Sequence, residues 1–228
     1  MRDELLEDIR NAGYWRVNLR PTGPPRDYLL GDCRKLVRDA AVSMRGWDYP
    51  HVTTITNDEG GDETADGYVE NWCNWSGFKE FWRMYPSGQF LSYTALREET
   101  LEGMFQTGGK GTIAVDHTIY SFTEIFEFAH RLALRGVYPD GANIMISLEG
   151  AKDRRLWLGP NPHVRFFGNK STSAARIALD ASLSPETLQD GYREQAIILL
   201  VRLFDRFGWN PPPDQIAAVQ DRFYRKEF

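Results

Sequence analysis

The sequence predicts an α+β fold, with largely antiparallel sheet packed against about five to six helices. Three observations lead there. Extended segments come in runs between helical ones instead of alternating with them one by one. Two of them, Phe81–Tyr85 and Phe90–Leu96, flank Pro86-Ser87-Gly88-Gln89, a hairpin signature in which Pro presets one turn angle and Gly accepts a positive φ. A long segment near 185–207 is apolar almost all round from Ala196 to Phe207, which places it centrally in the core.

The first helix is expected over Asp3–Ala12, with Leu5, Leu6 and Ile9 on one face and Gly13 ending it. Tyr14–Arg20 alternates, so Trp15, Val17 and Leu19 point one way. Pro21 and Gly23-Pro24-Pro25 break that strand, and a helix over Arg26–Ala41 follows, with Leu29, Cys33, Leu36, Val37 and Ala40 at helical spacing. Val42–Trp47 and His51–Thr56 read as extended, the acidic Gly-rich stretch to Gly67 as a mobile loop, and Tyr68–Trp75 as a strand. After the hairpin, a short helix is expected over Arg97–Phe105 and a flexible loop over Gly108–Gly111.

Thr112–Thr118 reads as a strand. Ser121-Phe122-Thr123-Glu124 has the form of a capping box, opening a helix that stops at Gly136. Asn143–Leu148, Arg155–Leu158, Val164–Phe167 and Ala174–Leu179 read as a second antiparallel meander. Ser184-Pro185 starts the long helix as N-cap and first-turn proline, and an amphipathic helix with Ile216, Val219, Phe223 and Tyr224 closes the chain. The organisation expected is one globular domain over 1–228, with 106–111 as the place where two sheet-containing halves would divide.

At 42% hydrophobic and 26% charged residues, the composition is that of an ordinary globular protein. The longest apolar run, Ala196–Val201, is far too short for a membrane span, and the acidic start Met1–Asp8 lacks an apolar signal region. A cytoplasmic protein that engages no membrane is therefore expected. Cys33 and Cys73 read as buried thiols, and no spacing points to zinc. The net charge of -5 is local: Thr56–Gly67 holds five acids and no base, and without them 27 acids face 27 bases. Bulk charge therefore leaves nucleic-acid binding open.

Few motifs carry chemistry. Gly108-Gly109-Lys110-Gly111-Thr112 departs from a phosphate loop, because its Lys is followed by Gly and then by a strand pattern. Asn57–Glu63 lacks the spacing of a calcium loop. No two of His51, His117, His130 and His163 share a helical turn, so no local metal site is written and no cofactor is read. Glu98-Glu99 and the pair Glu124 and Glu127 read as solvated faces.

Two aromatic blocks remain. In Arg45-Gly46-Trp47-Asp48-Tyr49-Pro50-His51, a strand pattern is interrupted by Gly and Pro exactly where aromatic, charged and imidazole groups concentrate. Arg45 either pairs with Asp48 or binds phosphate or carboxylate, with Trp47 and Tyr49 as stacking platforms. In the hairpin, Trp82 and Met84 alternate with Phe81, Arg83 and Tyr85, one set for core and one for surface. The binding candidates are therefore Arg45, Trp47, Asp48, Tyr49, His51, Trp82, Arg83 and Tyr85.

The strings Arg45–His51 and Phe81–Phe90 resemble ones that recur in uncharacterised bacterial proteins, some of which accompany Schlafen-like AlbA domains or defence-type genes. The resemblance implies a bacterial accessory protein, with anti-phage defence as one setting, and transfers no catalytic residue. The chain has no recognisable AlbA segment. Three functions stay open. The first is a non-catalytic interaction or ligand-sensing module, with a protein partner expected. The second is a nucleic-acid-binding accessory protein, which requires Arg16, Arg20, Arg45 and Arg83 on one face. The third is a hydrolase or nuclease in which His51 or His117 meets carboxylates.

Overall fold

The computed structural model describes residues 2–54, 56–101, 108–160 and 162–227. Its centre is a seven-stranded sheet in the order β2-β3-β4-β5-β1-β7-β9, every neighbouring pair antiparallel. The strands are β1 (Tyr14–Pro21), β2 (Gly60–Ala65), β3 (Tyr68–Trp75), β4 (Phe78–Met84), β5 (Phe90–Ala95), β7 (Ala142–Glu149) and β9 (Arg176–Leu183). Two three-residue strands, β6 (Thr112–Ala114) and β8 (Arg155–Trp157), form a separate parallel ladder. With helices α1 (Arg2–Ala12), α2 (Leu30–Ala40), α3 (Arg97–Thr100), α4 (Val115–Leu134), α5 (Tyr192–Asp205) and α6 (Pro213–Tyr224), this is an α+β fold.

Alternation along the strands sorts the side chains between two faces. Trp15, Val17 and Leu19 of β1 lie in register with Leu148, Ile146 and Ile144 of β7 and point at the helical layer. That layer consists of α2, α4, α5 and α6 and shares one continuous apolar core with the sheet. α5 buries Ala196, Leu199, Leu200, Leu203 and Phe204 there, the central placement its apolar sequence foretells, and α4 is buried beside it along most of its length. The other face of the sheet carries α1, whose Leu5 and Ile9 pack on Phe81 and Ala95. The sheet takes strands from both sides of the 106–111 segment, since β1 pairs with both β5 and β7.

Several local expectations need correction. The acidic stretch is no loop: Gly60–Ala65 is the edge strand β2, and Asp62 accepts from Arg34 Nε at 2.8 Å. Pairing with β3 overrides the poor strand preference of Gly, Asp and Glu. Val42–Trp47 and 51–54 are not strands; a single bridge, Val42 with Tyr49, closes a loop between them. α2 starts at Leu30, later than Arg26. The helix expected over Arg97–Phe105 is one turn, Arg97–Thr100, and its remainder at 102–105 lies outside the described residues. The expected strand Thr112–Thr118 stops at Ala114, and α4 begins there, so Ser121 and Glu124 stand inside the helix and cap nothing. Val164–Phe167 is irregular, and β8 pairs with β6 in place of an antiparallel meander. The long C-terminal helix opens with a π-helical turn, Thr187–Gly191.

Cys33 and Cys73 are buried free thiols, each pushed up to about 11 by burial. Among the described residues no helix is long and apolar enough to cross a membrane, and no three His, Cys, Asp or Glu side chains form a metal-holding group.

Candidate functional site

The loop between α2 and the edge of the sheet is closed by two hydrogen bonds: the Val42 N–H donates to the Tyr49 carbonyl at 2.8 Å, and the Tyr49 N–H to the Val42 carbonyl at 2.9 Å. Gly46, at φ +80°, takes the left-handed conformation that reverses the chain within it. This turn inserts Arg45, Trp47 and Tyr49 between the sheet and α4. Arg45 Nε and Nη2 donate to Glu124 Oε1 and Oε2 at 3.1 and 2.7 Å, and Nη2 also donates to Ser121 Oγ at 3.1 Å. The Ser-x-x-Glu spacing that reads as a cap therefore puts two acceptors on one helix face, and they receive one guanidinium. Asp48, the alternative partner, makes no such pair.

Trp47 Nε1 donates to Glu80 Oε1 at 2.7 Å, and its ring stacks on His51 and on Phe78, each with centroids 4.1 Å apart. The Tyr49 hydroxyl meets Ser92 Oγ at 3.1 Å, and burial pushes the phenol pKa well above its usual value. Trp82 is core, with Nε1 donating to the His51 carbonyl at 2.7 Å.

Arg45, Trp47, Tyr49, Glu80 and Glu124 wall a hollow of about 50 Å³, bounded also by Arg97, Glu98 and His117. Burial of the acids is unusual. Glu80, Glu98 and Glu124 are 6%, 8% and 1% exposed, which overturns the reading of Glu98 and Glu124 as solvated. Glu98 has a structural duty: its Oε1 accepts the Ala114 N–H at 2.7 Å, beside the uncapped start of α4. Burial raises the pKa of both Glu98 and Glu124, outweighing the nearby guanidiniums.

Arg97 differs from Arg45, the other guanidinium in the hollow, which is paired with Glu124. Among the described residues Arg97 has no hydrogen-bond or ion-pair partner, and its guanidinium lies over the Phe78 ring at 5.0 Å. Burial, together with repulsion from Arg45, holds it down to about 10, so it stays charged at neutral pH. His117 is pushed down to about 4 by burial and by Arg45 and Arg97, so its ring is neutral. An arginine carries five N–H donors in a planar fork that fits carboxylate or phosphate. With no acceptor among the described residues, the Arg97 fork has donors to spare.

Of the candidates read from the sequence, Arg45, Trp47, Asp48 and Tyr49 line the hollow, while His51 backs the Trp47 ring. Arg83 and Tyr85 belong to the opposite side of the sheet. There Arg83 Nε donates to Glu70 Oε2 at 2.8 Å, with its guanidinium 4.2 Å from the Tyr68 ring. Arg16 and Arg20 alternate with Val17 and Leu19 and share that side, so the sheet separates all three arginines from Arg45. Glu80, Arg97, Glu98, His117 and Glu124 come from three elements, β4, α3 and α4, and no spacing in the sequence announces their meeting. Comparison with protein-family models, with curated proteins and with solved structures returns no match for this chain.

Proposed function

We propose that the protein is a ligand-sensing module that binds a small anionic ligand in the hollow between the sheet and α4. The observation that carries this reading is Arg97, a charged guanidinium without a hydrogen-bond or ion-pair partner among the described residues, lining the same hollow as the Trp47, Trp15 and Phe122 rings. Arg97 takes the ligand's carboxylate or phosphate in a fork, and the rings take its apolar part. Arg45 is already committed to Glu124 and holds the loop in place. Service within a bacterial cytoplasmic system, including phage defence, rests on the resemblance of the two strings, and a protein partner would read the ligand-bound state.

The test is calorimetric titration of wild type and Arg97→Met with inorganic phosphate and with benzoate at pH 7.5. Wild type is expected to bind at least one probe and Arg97→Met neither. Equal binding by both proteins, or binding by neither, overturns the reading. A second reading, hydrolysis, is favoured by one observation: the neutral His117 ring lines the same hollow as Glu98 and Glu124. It predicts turnover of a bound ester and loss of that turnover in His117→Ala with binding retained.

A further inference from the structure

A second hollow, of about 310 Å³, adjoins the first at the His117 ring. The first turn of α4 forms one wall, and Trp157, Leu158, Gly159, Pro160 and His163 form the other. Four rings line it: His117, Tyr120, Trp157 and His163. Two of them are braced from behind. Tyr120 stacks on Phe223 at 4.4 Å, and Gly108 lies so close to the Trp157 indole that a Cβ there would come within 2.5 Å of Cγ. The size and the mostly apolar lining with few polar groups are those of a small-molecule site.

The polar groups among the rings are held in defined roles. The Asp116 carboxylate only accepts, so the contact at 3.0 Å is His163 Nδ1–H donating to Asp116 Oδ2. His163 Nε2 has no partner among the described residues and faces the ligand as a second ring nitrogen. Among the described residues His117 makes no hydrogen bond through either ring nitrogen. A neutral imidazole offers one donor and one acceptor. The cleft thus presents acceptor and donor positions at its ring-lined walls, which matches a planar heterocycle carrying N–H donors beside ring nitrogens or carbonyls. On the far side of His117 stands Arg97.

We infer that the two hollows together bind a nucleotide, the base lying in the Trp157 cleft and the phosphate on Arg97. The inference rests on the anion reading of Arg97 and adds the chemistry of the ligand's other half. Stacking on the indole supplies affinity for any base, and the two imidazoles read its edge.

The experiment is calorimetric titration of the full chain at pH 7.5 with AMP, GMP, CMP and UMP, with the four nucleosides, and with inorganic phosphate. At least one monophosphate is expected to bind about tenfold or more tightly than both phosphate and its own nucleoside. Trp157→Ala should reduce that nucleotide to about the affinity of phosphate while phosphate binding stays unchanged. His163→Ala should weaken it in the same direction and serves if Trp157→Ala does not fold. Monophosphates that bind no better than phosphate overturn the base cleft and leave the anion site standing. Failure of phosphate and of every monophosphate to bind overturns both.

Discussion

Glu124 and Glu127 stand one turn apart on α4, both buried, and the protein treats them in opposite ways. Glu127 faces α5 and α6. Its Oε2 accepts the hydroxyls of Tyr192 at 2.7 Å and Tyr224 at 3.2 Å, and its Oε1 accepts Arg131 Nε at 2.9 Å. Arg131 in turn reaches the Ala41 carbonyl at 2.6 Å, and Arg193 lies 3.7 Å over the Tyr224 ring. Burial alone would raise the Glu127 carboxyl, but these donors hold it below its usual value. Glu124 faces the sheet, where burial outweighs the pull of Arg45 and Arg97, and its pKa is raised. The first cluster is closed and joins three helices. The second contains the Arg97 and His117 side chains, without hydrogen-bond partners among the described residues, and borders a hollow. Buried charge with every bond made is architecture, whereas buried charge with donors to spare marks a place for something else.

The contrast predicts a ranking of stability effects. Glu127→Ala should be the most damaging, at about 3 kcal/mol, because Arg131 and two tyrosine hydroxyls lose their acceptor together. Urea unfolding measures it, and a loss near zero would show that the cluster does not lock the helices. The same titration repeated in acid carries a sign. A carboxyl whose folded pKa is depressed stabilises above its unfolded value of 4.5, and the contribution fades as pH falls through the folded value. The gap between wild type and Glu127→Ala should therefore close below pH 4.5.

Arg45→Ala should cost less, about 2 kcal/mol, since Glu124 already has a raised pKa and can shed its charge by taking a proton. A cost equal to that of Glu127→Ala would contradict the difference between the two clusters. Arg97→Met should change stability by less than about 0.5 kcal/mol, or increase it, because no hydrogen bond or ion pair among the described residues is lost and an apolar stem replaces a desolvated charge over the Phe78 ring. A destabilisation of several degrees in its thermal midpoint would mean that Arg97 is structural. His117→Gln should be silent at pH 7.5. With a folded pKa of about 4 against 6.5 unfolded, His117 makes wild type lose stability as pH falls from 6.5 towards 4. The substitution should flatten that part of the profile, and an unaltered slope would place His117 in ordinary solvent.

Strands with one buried face were legible from alternation, as Trp15, Val17 and Leu19 show, and the β4–β5 turn was legible from Pro86 and Gly88. The edge strand Gly60–Ala65 was not, because its pairing comes wholly from β3 and its own residues disfavour extended structure. Ser121–Glu124 shows a different failure: one spacing serves both a helix cap and a helix-face receptor, and only the approach of Arg45 from 76 residues away decides between them. The same limit governs the site. Arg45, Trp47 and Tyr49 stood out as aromatic and charged residues at a break in the chain. Arg97 and Glu98 did not, since in sequence they look like any charged first turn.

The claim that a guanidinium is kept free for a ligand is tested most directly by NMR of the arginine Nε–H groups in the ligand-free protein. Arg45 Nε–H, held by Glu124, should exchange slowly with water, and Arg97 Nε–H should exchange rapidly until an anionic ligand is added and protects it. Equal protection of both in the ligand-free protein would contradict the account.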